Sequence, residues 1–137
     1  MPESPLILVV EDEYLLMDEM LHALTKAGFV VDGVASGEEA LALFCSGRDY
    51  KALVTDVNLQ GGLTGWDVAR RVRERERSFP VIYATAAAAE QWASHGVPDS
   101  TLLSKPFAPA QLLSAVSRLL NIDAAAPHVA TARVSNS

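Results

Sequence analysis

The sequence predicts an α/β domain, a parallel sheet with helices on both faces. Two observations predict it. Short apolar runs alternate five times with segments of helical period, the pattern of strand–helix units joined by crossovers. Every chemically able residue near a strand end then falls on the carboxyl edge of the sheet, where such folds bind ligands.

The elements follow in order. "LILVV" (6–10) is a β-rich run apolar at every position, as in a strand buried on both faces. A helix follows, with Met17, Met20, Leu21 and Leu24 on one face and Gly28 at its C-terminal end. "FVVDGVA" (29–35) is the second strand. Ser36 and Glu39 have capping-box spacing ahead of a helix whose face is Ala40, Leu41, Leu43 and Phe44. "KALVTD" (51–56) is the third strand, and "GWDVARRVRERE" (65–76) a helix with Trp66, Ala69 and Val72 inward. "PVIYAT" (80–85) is the fourth strand, "AAAAEQWAS" (86–94) a weakly patterned helix, and "STLLS" (100–104) the fifth strand. Pro109 opens a last helix striped with Leu112, Leu113, Val116, Leu119 and Leu120. From about Asn121 the composition turns to Ala, Ser, Thr and Pro without period. Residues 1–122 are therefore read as one domain and 123–137 as a mobile tail.

Composition narrows the function. The chain has 137 residues, half of them hydrophobic, enough for one domain with a proper core. A net charge of −6 argues against a nucleic-acid surface. No stretch is apolar enough to span a membrane, and "MPESPLILVVEDE" lacks the basic start of a signal peptide. Cys45 is the single cysteine, so no internal disulfide and no paired-cysteine metal site is expected. The expected location is cytoplasmic.

Glu11 and Asp12 end the first strand, Asp56 the third and Thr85 the fourth; Lys105 follows the fifth. Crowded carboxylates repel one another, and a divalent cation relieves this. Oxygen donors without Cys or His favour Mg²⁺. Asp12 and Asp56 are the expected direct ligands, with Glu11 acting through water and the backbone carbonyl of Asn58 completing the set. A carboxylate beside Mg²⁺ and a lysine can attack phosphorus, with Lys105 spreading charge on the transferring group and Thr85 donating a hydrogen bond to it. Asp56 is then a phosphoryl acceptor. Plainer readings exist: Asp56 as a helix cap, Glu11 and Asp12 as favourable charges at a helix start, Thr85 as a strand residue, and Lys105 as a solvated lysine. His22, His95 and His128 lack metal spacing and are read as surface residues. "RRVRERER" (70–77) is read as a solvated helix face with intrahelical ion pairs, and Trp66 as a packing residue.

At "VVEDE", "LVTD", "YAT" and "SKPF" the sequence resembles the receiver domain of bacterial response regulators, from about Leu6 to Leu120. The resemblance implies a flavodoxin-like fold with strand order 2-1-3-4-5. It implies phosphorylation of Asp56 by a histidine kinase or phosphotransfer protein, with Lys105 and Thr85 assisting. It also implies a stand-alone receiver that is no enzyme beyond slow self-phosphorylation and autodephosphorylation. Such a receiver signals through a protein target, with no nucleic acid and no membrane. A homodimer would use the face of the fourth helix, fifth strand and fifth helix.

Four departures stand out. Gln60 occupies the usual proline place, and the loop "NLQGGLTG" is one residue longer than common. Leu102 replaces the usual aromatic switch residue, leaving Tyr83 or Phe107 as rings near the edge. "PVIYATAA" matches only part of a strand-four pattern found in some stand-alone receivers. Two other functions compete. A Mg²⁺-dependent phosphatase would want an acid where Asn58 stands, and a degenerate receiver would not keep Asp56, Thr85 and Lys105 together.

Overall fold

The computed structural model describes residues 4–121. The strands are β1 (Leu6–Val10), β2 (Val30–Val34), β3 (Tyr50–Thr55), β4 (Val81–Thr85) and β5 (Thr101–Ser104). The helices are α1 (Tyr14–Lys26), α2 (Gly37–Phe44), α3 (Gly65–Arg75), α4 (Ala89–His95) and α5 (Pro109–Leu119). All strand pairs are parallel and the order is β2-β1-β3-β4-β5, as expected. The expected tail, 123–137, lies outside the described residues, as does His128.

The period-two geometry of the strands sorts the core into two layers. Leu8, Val10, Leu53, Val81 and Tyr83 face α2 and α3, meeting Ala40, Val68, Ala69 and Val72. Ile7, Val9, Ala52, Val54, Ile82 and Ala84 face α1 and α5, meeting Met20, Leu24, Leu112 and Val116. From Ala52 to Val54 in β3 and from Val81 to Ala84 in β4 both faces are buried, which is why these stretches are apolar; Lys51, at the start of β3, is exposed. β2 is an edge strand and leaves Val30 half exposed.

Local signals set the helix ends. Gly28, just past α1, has φ +102°, a left-handed turn that a side chain would strain. Glu39 N–H donates to Ser36 Oγ at 3.2 Å, while the Glu39 carboxylate accepts from Ser36 Oγ and Ala35 N–H. The fourth helix differs from the sequence expectation of 86–94. It begins at Ala89, because Ala87 N–H is engaged by Thr85 Oγ1 and no capping side chain precedes the turn. α4 has no buried residue. Its half-buried Trp92 ties it down through Nε1, which donates to Ser100 Oγ at 3.0 Å. Ser100 Oγ in turn donates to Val97 O.

The run 70–77 is also different from the expectation. Its one intrahelical ion pair reaches outside the run, from Arg70 to Asp67 at 2.7 Å. Arg73 instead donates to two carbonyls, Phe79 O and Pro98 O, each at 2.6 Å. It pins α3 to the entry of β4 and to the loop before β5. A guanidinium has enough fixed donors to serve both at once.

Candidate functional site

β1 lies between β2 and β3, so the strand order reverses at β1/β3 and leaves a crevice beyond their carboxyl ends. The residues just past these two strands are Glu11, Asp12 and Asp56. Backbone ties fix them there. Glu11 N–H donates to Val34 O at 3.0 Å, and Asp56 N–H to Val10 O at 2.9 Å. Each ladder thus continues one step past its strand and delivers a carboxylate to the same place. The buried Thr55 hydroxyl donates to Asp56 O at 2.7 Å and holds that peptide further.

Asp56 is buried at the floor of the crevice. Its Oδ1 accepts from Val57 N–H at 2.6 Å and its Oδ2 from Lys105 Nζ at 2.8 Å. Lys105 also stands 3.0 Å from Glu11 Oε1, so one ammonium bridges two acids. Burial pulls this ammonium's pKa down, but its close contacts with the Asp56 and Glu11 carboxylates outweigh that and leave it raised. Glu11 is nearly sealed from solvent. Burial pushes its carboxyl up, against the opposing pull of Glu13 N–H and Lys105. Its Oε2 accepts from Glu13 N–H at 3.0 Å. Its Oε1 is buried and makes no well-directed hydrogen bond, leaving only the ion pair with Lys105.

The donor set fits a hard divalent cation. Glu11, Asp12 and Asp56 offer carboxylate oxygens all within 4.8 Å of one another. No Cys or His is among them, and one buried oxygen lacks a hydrogen-bond donor. Asp12 is half-buried at the rim, and Asn58 is exposed two residues beyond Asp56.

Thr85 is fully buried at the end of β4, and its carbonyl accepts Lys105 N–H at 2.9 Å. That bond sets the stem of the lysine beside β4. Thr85 Oγ1 accepts from Ala87 N–H at 3.2 Å, and among the described residues it donates to no protein group. The Lys105–Pro106 bond is cis. The structure therefore brings Glu11, Asp12, Asp56 and Lys105 together, with Thr85 joined to them through the main chain.

Several contacts were not read from the sequence. Thr64 and Asp67 form a reciprocal capping box at the start of α3, a spacing visible in "TGWD". Gly65 N–H donates to Val57 O at 2.8 Å, closing the loop that follows Asp56. Tyr83 is buried, packs on Trp66 with ring centroids 4.7 Å apart, and accepts Val97 N–H at its hydroxyl. It is also the cross-strand neighbour of Leu102. The ring missing at Leu102 is thus matched by a fixed ring one strand over.

These features define a class, a doubly wound parallel α/β domain whose ligand edge gathers three carboxylates around one lysine. Comparison with known proteins supplies the family. The profile of the response regulator receiver domain matches residues 7–117. The chain belongs to the receiver-domain family of response regulators.

Among curated proteins it is 35% identical over 121 residues to the transcriptional regulatory protein CusR of Escherichia coli K12, covering 87% of this chain and 52% of that one. It is 40% identical over 103 residues to the transcriptional regulatory protein TcrA of Mycobacterium tuberculosis H37Rv, covering 74% and 40%. The chain thus spans about half the length of the curated relatives it matches. Among solved structures, a response regulator receiver protein from Sinorhizobium medicae superposes with TM-score 0.83 at 44% identity, over 87% of this chain and 96% of that one. The response regulator TrrA of Thermotoga maritima, solved in complex with Mg²⁺-BeF, gives TM-score 0.74 at 29% identity, over 84% and 98%.

Proposed function

We propose that Asp56 accepts a phosphoryl group from the phosphohistidine of a sensor kinase or a histidine phosphotransfer protein, in a Mg²⁺-dependent step. The observation that carries this reading is the grip on Asp56. One carboxylate oxygen is held by a main-chain N–H and the other by Lys105, in a crevice walled by two more acids. Mg²⁺ would be held by Asp12, Asp56 and the Asn58 carbonyl, with Glu11 acting through water, and would supply charge neutralisation for the transferring group.

An Asp56 oxygen forms the new bond to phosphorus as the donor's nitrogen–phosphorus bond breaks, and that electron pair leaves on the imidazole. Lys105 stabilises negative charge beside the acceptor throughout. Among the described residues the Thr85 hydroxyl donates to no protein group, and its hydrogen would serve a phosphoryl oxygen. The domain is no enzyme beyond slow self-phosphorylation and autodephosphorylation. Asn58 stands where an aspartyl-phosphate phosphatase would place its acid and has no carboxyl to serve as one. Output passes to a protein target in the cytoplasm, through the face of α4, β5 and α5, and a second copy would pair on the same face. The exposed length of α4 and the domain's net negative charge support a protein partner over nucleic acid.

Incubation with Mg²⁺ and a small acyl phosphate, followed by intact-mass measurement, tests the reading. One phosphoryl adduct is expected on the wild type and none on Asp56→Ala. An unlabelled wild type, or undiminished labelling of the variant, overturns it.

A further inference from the structure

The loop after Asp56 carries the backbone carbonyl of Asn58, lacks a proline at Gln60, and holds two adjacent glycines. The Gly65–Val57 bond closes the base of this loop, but the glycines at its tip gain no restraint from it, and glycine loses the most freedom on ordering. Something outside the loop must restrain them. Two contacts to the start of α2 do. Ser36 and Gln60 form an isolated parallel bridge. Glu38 Oε2 accepts Gly62 N–H at 2.9 Å, across 24 residues of sequence.

The neighbouring glycine is shaped to this carboxylate. Gly61 has φ +93°, and a β-carbon there would lie 2.8 Å from Glu38 Oε1. A side chain at Gly61 would be strained by its positive φ and would push the tip of Glu38 aside. Glu38 makes no contact with Glu11, Asp12, Asp56 or Lys105, so it is not a ligand of the acid crevice.

We propose that Glu38 is a positioning residue for the cation step. By clamping Gly62 it fixes the loop from Asn58 onward, and so presents the Asn58 carbonyl to a divalent cation held by Asp12 and Asp56. The inference rests on the function proposed above and assigns the lengthened loop an external brace in place of the internal proline. The Glu38 charge is exposed and screened, so the brace is the hydrogen bond rather than the field. A neutral acceptor of the same shape serves as well.

Calorimetric titration with Mg²⁺ alone tests this on the wild type, Glu38→Ala, Glu38→Gln and Gly61→Ala, with thermal melts in EDTA to show that each is folded. Loss of a supporting partner commonly weakens a metal site about 10–100-fold, and an exposed brace belongs at about tenfold for Glu38→Ala. Glu38→Gln, which keeps an acceptor for Gly62 N–H, stays within about threefold of wild type. Gly61→Ala weakens binding like Glu38→Ala, and combining the two adds little because both break one contact. Two results overturn the proposal while leaving the site reading intact: wild type binds and Glu38→Ala matches it, or Glu38→Gln falls as far as Glu38→Ala. A wild type that binds no Mg²⁺ defeats the parent reading as well.

Discussion

Gly65→Ala tests how closely the chain packs behind Asp56. A β-carbon at Gly65 would overlap the Asp56 carbonyl oxygen and lie 2.8 Å from its carbonyl carbon and 2.9 Å from Val57 Cα. Carbon atoms sit comfortably at about 3.5 Å or more, so the two carbons must give by on the order of 0.7 Å and the overlapped oxygen by roughly 1 Å or more. All three obstacles are backbone, and no rotamer change relieves them. Overpacking of this kind costs about 1–3 kcal/mol, and the lack of side-chain relief places this case at the upper end. For a domain of this size that is a drop in Tm of roughly 8–12 °C. The segment that must yield carries Asp56 itself. A misplacement near 1 Å in a reacting group can cost about a hundredfold, so labelling by an acyl phosphate with Mg²⁺ should fall between roughly tenfold and a hundredfold. Calorimetry and intact-mass time courses read the two effects on one sample. If Gly65→Ala melts within about 2 °C of wild type and labels at an unchanged rate, the close approach of α3 to Asp56 is not what the reasoning takes it to be.

Three further substitutions probe the scaffold. Thr64→Ala removes the cap of α3 and should cost about 1 kcal/mol, seen as a Tm fall of about 4 °C; no change would mean Asp67 holds that end alone. Tyr83→Phe keeps the ring on Trp66 but leaves Val97 N–H without its acceptor, at a cost of about 1–3 kcal/mol in denaturant melts. An equally stable variant would show that this N–H finds another partner. Tyr50 is pushed up to about 12 by burial and by its 2.6 Å hydrogen bond to Asp32. A raised folded-state value means its stabilisation is complete below pH 10 and is lost as pH rises through about 12. Tyr50→Phe should therefore lose stability less steeply than wild type over that window, and parallel curves would count against the Tyr50–Asp32 bond.

Strands and acid site were legible for the same physical reason. The doubly buried middle of a strand must be apolar, so a carboxylate just past it, as at Glu11 after Ile7–Val10 or Asp56 soon after Ala52–Val54, stands out against that background. α4 was harder to place, because four successive alanines carry no periodic pattern and no cap marks the first turn. The pairings of Glu38, Arg73 and Tyr83 were illegible for a different reason. Their partners are backbone groups 6 to 25 residues away, and a main-chain N–H or carbonyl leaves no residue type in the sequence to announce the pairing. The sequence showed five arginines between 70 and 77; only the fold distinguishes Arg73, which joins three elements, from its neighbours.

Lys105 starts beyond β5, yet its ammonium rests on acids that extend β1 and β3, with β4 lying between. One side chain thus spans four of the five strands. Any slide of β5 along β4 changes what the ammonium can reach at Asp56. Thermodynamic linkage makes that dependence symmetrical. If phosphorylation of Asp56 strengthens a partner's hold on the β5 side by some factor, then that partner, bound first, must favour the phosphorylated form of Asp56 by the same factor. The target would then act on the receiver as much as it is acted upon, and the measured phosphorylation equilibrium would belong to the pair of proteins.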